Sequence, residues 1–217
     1  MLATTLATTL AIILSVRLIF VHIVRELLME RIVIIGSSGA GKSTLARKLS
    51  PMLKIKVFHM DRFFWQRRWK RETRDTRIDI LQGLVREKRW IIEGSYLSSS
   101  EPRLEAADTI IFLDIPALMC LLRVMKRYLA YRRRPRRDIP EGCTDKLTLL
   151  HILKVLTFPL YGRRTIKQML RNYNSKRIIR LRSRKEVKDF LAQLEQDGDE
   201  KIPPVIAGER IPVADGR

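Results

Sequence analysis

The residues Gly36-Ser37-Ser38-Gly39-Ala40-Gly41-Lys42-Ser43 fit the pattern of a glycine, four residues, then Gly-Lys-Ser, and they stand between an apolar run and a helical one. Glycines let the backbone wrap around phosphate oxygens, so that amide groups and the N-terminus of the following helix meet the anion without side chains in the way. At this spacing Lys42 reaches β- and γ-phosphates, and the Ser43 hydroxyl serves the Mg²⁺ that bridges them. The segment Gly36, Ser37, Ser38, Gly39, Ala40, Gly41, Lys42, Ser43 and Thr44 is therefore expected to bind a nucleoside triphosphate with Mg²⁺. A purely structural turn between strand and helix would not need this spacing of Gly, Lys and Ser.

From Glu30 onward short apolar runs alternate with longer helical segments, which predicts an α/β chain with a parallel sheet and helices on both faces. Strands are expected at 31–35, 55–58, 90–92, 109–113 and 177–181. The run Thr109 to Leu113 is apolar throughout, as in a central strand covered on both sides. Leu45 and Leu49, one turn apart, predict a helix from Lys42 closed by Pro51. Ile78, Leu81, Leu84 and Val85 predict another. Pro116 opens a helix carrying Leu118, Leu121, Leu122 and Met125, which leads into the basic cluster Arg132 to Arg137. A second helical region over 145–172 is expected to break near Pro159 and Gly162, and a last helix to run over 184–196.

Three segments follow from this pass: an apolar extension at 1–28, one domain at 29–196 with a lid at about 123–145, and an irregular tail at 197–217 rich in Gly and Pro. The extension has no Lys or Arg before Arg17, unlike a signal peptide, and Arg17 interrupts the apolar run a membrane span would need. It reads as residues preceding a working start at Met29, as an anchor or surface helix, or as a helix packed on the domain. Cys120 and Cys143 lack the spacing of a zinc site or a disulfide framework, and read as reduced structural thiols of a cytoplasmic protein. With 43 Lys and Arg against 23 Asp and Glu, the chain carries a formal charge of +20. Such a surface attracts polyanions, whether nucleotides, nucleic acid or an anionic membrane, without choosing among them.

In an open parallel sheet ligands collect at the carboxyl ends of the strands. Asp61, Glu93 and Asp114 each follow a strand. One such carboxylate can serve the metal and another can orient or deprotonate an acceptor hydroxyl, with helix capping or an ion pair as the alternative for each. Arg123 and Arg127 share a helix face and could neutralise charge on a transferring phosphoryl group. Trp65 and Trp69 lie among Arg67, Arg68, Lys70 and Arg71, an interleaving that suits either base stacking or packing of a small subdomain. His59 and His151 have no partner at metal or triad spacing and read as structural.

Several separated motifs then point one way: the loop Gly36 to Ser43, His59-Met60-Asp61 with Trp65 and Trp69, Trp90-Ile91-Ile92-Glu93-Gly94-Ser95-Tyr96, Ala107 to Asp114, Glu141-Gly142-Cys143, and Leu181-Arg182-Ser183 with Glu186-Val187. On these residues the chain from Met29 to about Leu194 resembles the adenylate-kinase-like P-loop kinases, and within them the proteins labelled DNA topology modulation proteins. The resemblance implies a three-layer P-loop NTPase fold with a five-stranded parallel sheet in the order 2-3-1-4-5 and an arginine-rich lid. It also implies ATP with Mg²⁺ at the loop, Ser43 and Glu93 at the metal, Asp61 at the acceptor, and Lys42, Arg123 and Arg127 at the transferring group. The expected activity is transfer of the γ-phosphoryl of ATP to a nucleotide or another small acceptor. The alternatives are a nucleic-acid-associated ATPase that uses the basic surface, and a regulatory module that binds nucleotide without turnover.

Overall fold

The computed structural model describes residues 29–133, 138–139, 143 and 147–199. The apolar extension at 1–28, the tail beyond residue 199 and most of the basic cluster in the expected lid lie outside the described residues. Five strands, β1 (Arg31–Gly36), β2 (Val57–His59), β3 (Trp90–Glu93), β4 (Thr109–Leu113) and β5 (Arg177–Leu181), form one sheet in the order β2-β3-β1-β4-β5. Every neighbouring pair is parallel.

Parallel neighbours require crossovers, and helices supply them on both faces. These are α1 (Lys42–Leu53), α2 (Met60–Phe64), α3 (Arg74–Leu84), α4 (Glu101–Ala106), α5 (Ala117–Tyr131), α6 (Leu149–Leu156), α7 (Gly162–Arg171) and α8 (Arg184–Asp199). Alternation along β1 splits its side chains between two cores. Ile32 and Ile34 pack with Leu45 and Leu49 of α1, Val124 of α5 and Phe190 of α8. Val33 and Ile35 pack with Phe64, Leu81 of α3, Leu104 of α4 and Ile166 of α7. A strand covered on both sides must be apolar at every position, which is why β1 and β4 read as unbroken runs.

Several element ends differ from expectation. Helix α1 continues through Pro51 to Leu53, because a proline in the last turn forfeits a single amide bond. It stops at Lys54, whose φ of 54° turns the chain, and the Lys54 and Ile55 amides both donate to the Ser50 carbonyl. Strand β2 is shifted toward His59, and α8 extends to Asp199.

Helix α5 follows Pro116 as expected, with much of its apolar stripe turned outward. Its regularly spaced Leu118 and Leu122 are 64% and 53% exposed, and Met125 and Leu129 share that outer face. The inward face is Cys120 and Val124. Helix α5 approaches the phosphate loop so closely that a Cβ at Gly39 would meet the Cys120 carbonyl. Helix α6, packed on α5, also turns Leu149, Leu150 and Leu153 outward. Among the described residues no helix is long and apolar enough to cross a membrane.

Candidate active site at the phosphate loop

Strand order reverses at β1, which lies between β3 and β4, so the carboxyl ends of these strands open a crevice where the phosphate loop begins. Gly39 and Gly41 hold φ of 79° and 104°, a left-handed backbone that turns the loop into α1. Lys42, the first residue of α1, donates from Nζ to the Ser37 carbonyl at 2.9 Å, folding over its own loop. Burial pushes its ammonium below the ordinary 10.5, the charges of Glu93 and Asp61 pull it back, and Arg127 adds to the depression. Phosphate oxygens arriving here would favour the charged form.

Ser43 Oγ donates to Glu93 Oε1 at 3.0 Å. His59 Nδ1 reaches the same oxygen at 2.9 Å, and since a carboxylate only accepts, Nδ1 carries the proton. Burial alone would raise the Glu93 pKa. The His59 hydrogen bond, the Lys42 and His59 charges and the Ser43 hydroxyl outweigh burial, so the carboxyl titrates below its ordinary 4.5. A hard cation that keeps several waters needs only one or two protein oxygens besides phosphates. An ionised carboxylate touching the P-loop serine fits that demand for Mg²⁺. No cluster of three or more His, Cys, Asp or Glu among the described residues offers an all-protein metal cage. Behind Glu93, His59 Nε2 lies 3.9 Å from Asp138, which accepts two bonds from Arg47 of α1 at 2.7 and 2.9 Å.

Asp61, whose charge also acts on Lys42, accepts from the Tyr96 hydroxyl at 2.5 Å, while Trp65 Nε1 donates to that same hydroxyl at 2.6 Å. Burial first, then the Asp61 charge and its hydrogen bond, push the Tyr96 phenol far above 10.0, so it stays a donor. Trp65 pairs with Arg71 across an antiparallel bridge, and Trp69 packs edge-on to Trp65 with centroids 5.6 Å apart. Trp69 has φ of 62°, a strained value for a bulky residue and one that the surrounding structure must enforce.

These groups line one cleft of about 1390 Å³, larger than a typical single-ligand pocket and roomy enough for a nucleotide and a second molecule. Arg123 and Arg127 also line it, and Arg123 donates to the Ala40 carbonyl at 3.1 Å. Asp114 does not join them. Its carboxylate is held by Arg163 at 2.6 Å and by Arg180, so it is an ion-pair anchor beneath the loop. His59 and His151, expected to be structural, both touch the site, the latter with Nε2 2.9 Å from Ser38 Oγ. Tyr96 was also missed, although it follows β3 and obeys the same rule that singles out Glu93. Nothing local marks Asp138 or His151, which long-range packing brings in. Cys120 and Cys143 are buried and free.

A parallel sheet in this order with a phosphate loop after its central strand is the P-loop kinase fold. A shikimate kinase from Acinetobacter baumannii, solved with shikimate, superposes with a TM-score of 0.53 at 16% identity, covering 78% of this chain and 93% of that one. The shikimate kinase of Bacteroides thetaiotaomicron aligns at a TM-score of 0.49 and 15% identity, over 78% of this chain and 98% of that one. No protein-family model matches. Among curated proteins, the uncharacterized protein YqaC of Bacillus subtilis (strain 168) is 30% identical over 100 residues, 45% of this chain. The match spans 56% of that relative's length.

Proposed function

We propose that this chain is an ATP-dependent phosphotransferase that moves the γ-phosphoryl group to a hydroxyl of a small acceptor. The observation that carries the reading is the grouping of Lys42, Glu93 and Asp61 in one cleft, near enough that both carboxylates shift the lysine's titration. A loop and a lysine alone would serve any nucleotide-binding protein. A second carboxylate in the cleft, besides the one bonded to the P-loop serine, is what an acceptor hydroxyl requires.

In this reading the amides of 36–44 and Lys42 hold the triphosphate, and Ser43 and Glu93 would hold Mg²⁺. When bound, that cation neutralises charge on the β- and γ-phosphates. Asp61, oriented by Tyr96, takes the proton of the acceptor hydroxyl as its oxygen bonds the γ-phosphorus and the bridging bond to ADP breaks. Arg123 and Arg127 lie against the equatorial oxygens and offset the charge spread over them. His59 holds Glu93 in place and is a positioning residue.

ADP release, measured against a panel of hydroxylated metabolites, nucleosides and nucleoside monophosphates, tests this. Lys42→Ala is expected to abolish acceptor-dependent turnover. Asp61→Asn is expected to lower kcat by about 10²–10⁴-fold while leaving ATP affinity within a few-fold. Undiminished turnover in Lys42→Ala would remove the proposal.

A further inference from the structure

Helices α5 and α6 leave bare what their sequences would ordinarily bury. On α5, Leu118, Leu122, Met125 and Leu129 recur at steps of three and four, so they form one row along the helix, and all four are exposed. On α6, Leu149, Leu153 and Leu156 form a second exposed row with Leu150 beside it, while Val155 is the residue of that helix that is buried. Leu160 and Tyr161, in the turn that follows, are exposed as well. The two helices pack on each other, and apolar side chains bared in such numbers on neighbouring elements mark a surface that binds something.

Both rows face away from the cleft. At about 100° per residue, Arg123 and Arg127, which line the cleft, lie about 140–180° around α5 from Leu118. His151 lies about 160° around α6 from Leu149 and meets Ser38 of the phosphate loop. Whatever covers the leucines therefore leaves the cleft open.

Charge discriminates among the candidates for that cover. No Asp or Glu occurs between Asp114 and Asp138, nor between Asp145 and Glu186, so α5, α6 and α7 carry cations alone. Lys126 flanks the α5 row and Arg132 and Arg133 follow at its end, all three exposed. A second copy docked through the same face would set cations against cations. A nucleic acid would meet the cations through its phosphates and gain nothing from leucines. An anionic lipid surface satisfies both, with headgroup phosphates beside Lys and Arg and leucines at the boundary of the acyl chains. A tyrosine such as Tyr161, apolar in body and polar at its tip, suits the same depth. With 8 residues α6 is about 12 Å long against a hydrocarbon core of about 30 Å, so it can lie along a bilayer and not cross it.

We infer that the outer face of α5 and α6 docks on an anionic lipid bilayer, with its leucines at the upper acyl chains, its lysines and arginines at the headgroups and the cleft turned to water.

The full chain is floated with vesicles of phosphatidylcholine alone and of phosphatidylcholine mixed equally with phosphatidylglycerol. Partitioning is expected to be about tenfold or more stronger on the mixed vesicles and to weaken as salt rises. Leu122→Gln with Leu153→Gln removes apolar contact while keeping charge and helix propensity. It is expected to lower partitioning by about tenfold or more with an unchanged urea midpoint. In Leu122→Trp the added emission is expected to shift to the blue on mixed vesicles and to be quenched by brominated acyl chains. Equal partitioning on neutral and anionic vesicles, partitioning that survives the double substitution, or an added indole that brominated chains fail to quench would each overturn the inference. So would a chain that does not float, including one that instead forms dimers dissolved by the double substitution, the mark of a contact between copies.

Discussion

A Cβ built on Gly39 would lie 2.2 Å from the Cys120 carbonyl oxygen and 2.9 Å from Val124 Cγ2, whereas one on Gly41 finds its nearest neighbour, Arg123 Nη1, at 3.9 Å. Both residues have positive φ, so alanine at either carries the left-handed penalty of about 1–2 kcal/mol. At Gly39 it also overlaps backbone that only a shift of α5 can relieve. Gly39→Ala is expected to lose about 3 kcal/mol or more, and Gly41→Ala about 1–2 kcal/mol, as read from urea midpoints. Equal losses would mean that α5 does not press on the loop. The same pair shows what the sequence discloses at this scale. Lys42 and Ser43 follow from spacing, because the loop is local and its chemistry needs those types at those positions. His59 and Tyr96 matter through single hydrogen bonds to Glu93 and Asp61, and a bond between residues more than 30 positions apart has no local signature.

Helix α4 is short, yet it fixes the turn that follows β3. Its Arg103 is fully buried, with Nη2 donating to the Gly94 carbonyl at 2.8 Å and with Nε and Nη1 lacking protein partners. Burial pulls its pKa from 12.5 down to about 10. A buried cation with one satisfied nitrogen is a poor stabiliser, and an apolar side chain of similar length removes its desolvation cost. Arg103→Met is therefore expected to keep stability within about 1 kcal/mol of the wild type. It also frees the turn that carries Glu93 and Tyr96, so kcat should fall by about tenfold or more. A large loss of Tm with kcat intact per folded molecule would show that Arg103 serves packing alone. Elements were otherwise largely legible: β1, β3 and β4 are apolar because both faces are covered, and their runs located them well. The facing of helices α5 and α6 was not legible, because periodicity reports an apolar stripe and not what covers it. On α5 the inner side, at Cys120 and Val124, is taken by the loop at Gly39, and Leu118 and Leu122 lie on the exposed side.

Over the whole molecule the 20 excess positive charges are the most visible property and the least informative one. Charge alone suits a duplex as well as a nucleotide, and only the folded arrangement of Asp61 and Glu93 around the loop favours a small acceptor. The two readings differ in how ATP turnover responds to DNA. A duplex held by a basic surface is held through its phosphates, so log K falls with log salt by about 0.9 for each phosphate neutralised. Four such contacts give a slope of about −3.6, steep enough to separate surface binding from chemistry within one titration. The expected outcome is that Lys42→Ala binds duplex DNA as the wild type does, since a lysine folded over its own loop adds nothing to the outer surface. Acceptor-dependent ADP formation is expected to be unchanged by DNA at salt concentrations where the complex persists. Fluorescence anisotropy of a labelled duplex and a coupled ADP assay, run across one salt series, check both. If DNA instead stimulated ATP hydrolysis without any acceptor, and did so with the salt dependence of binding, the cleft would serve a nucleic-acid-activated ATPase. Asp61 would then have no hydroxyl to deprotonate, and Asp61→Asn would leave that stimulated rate intact.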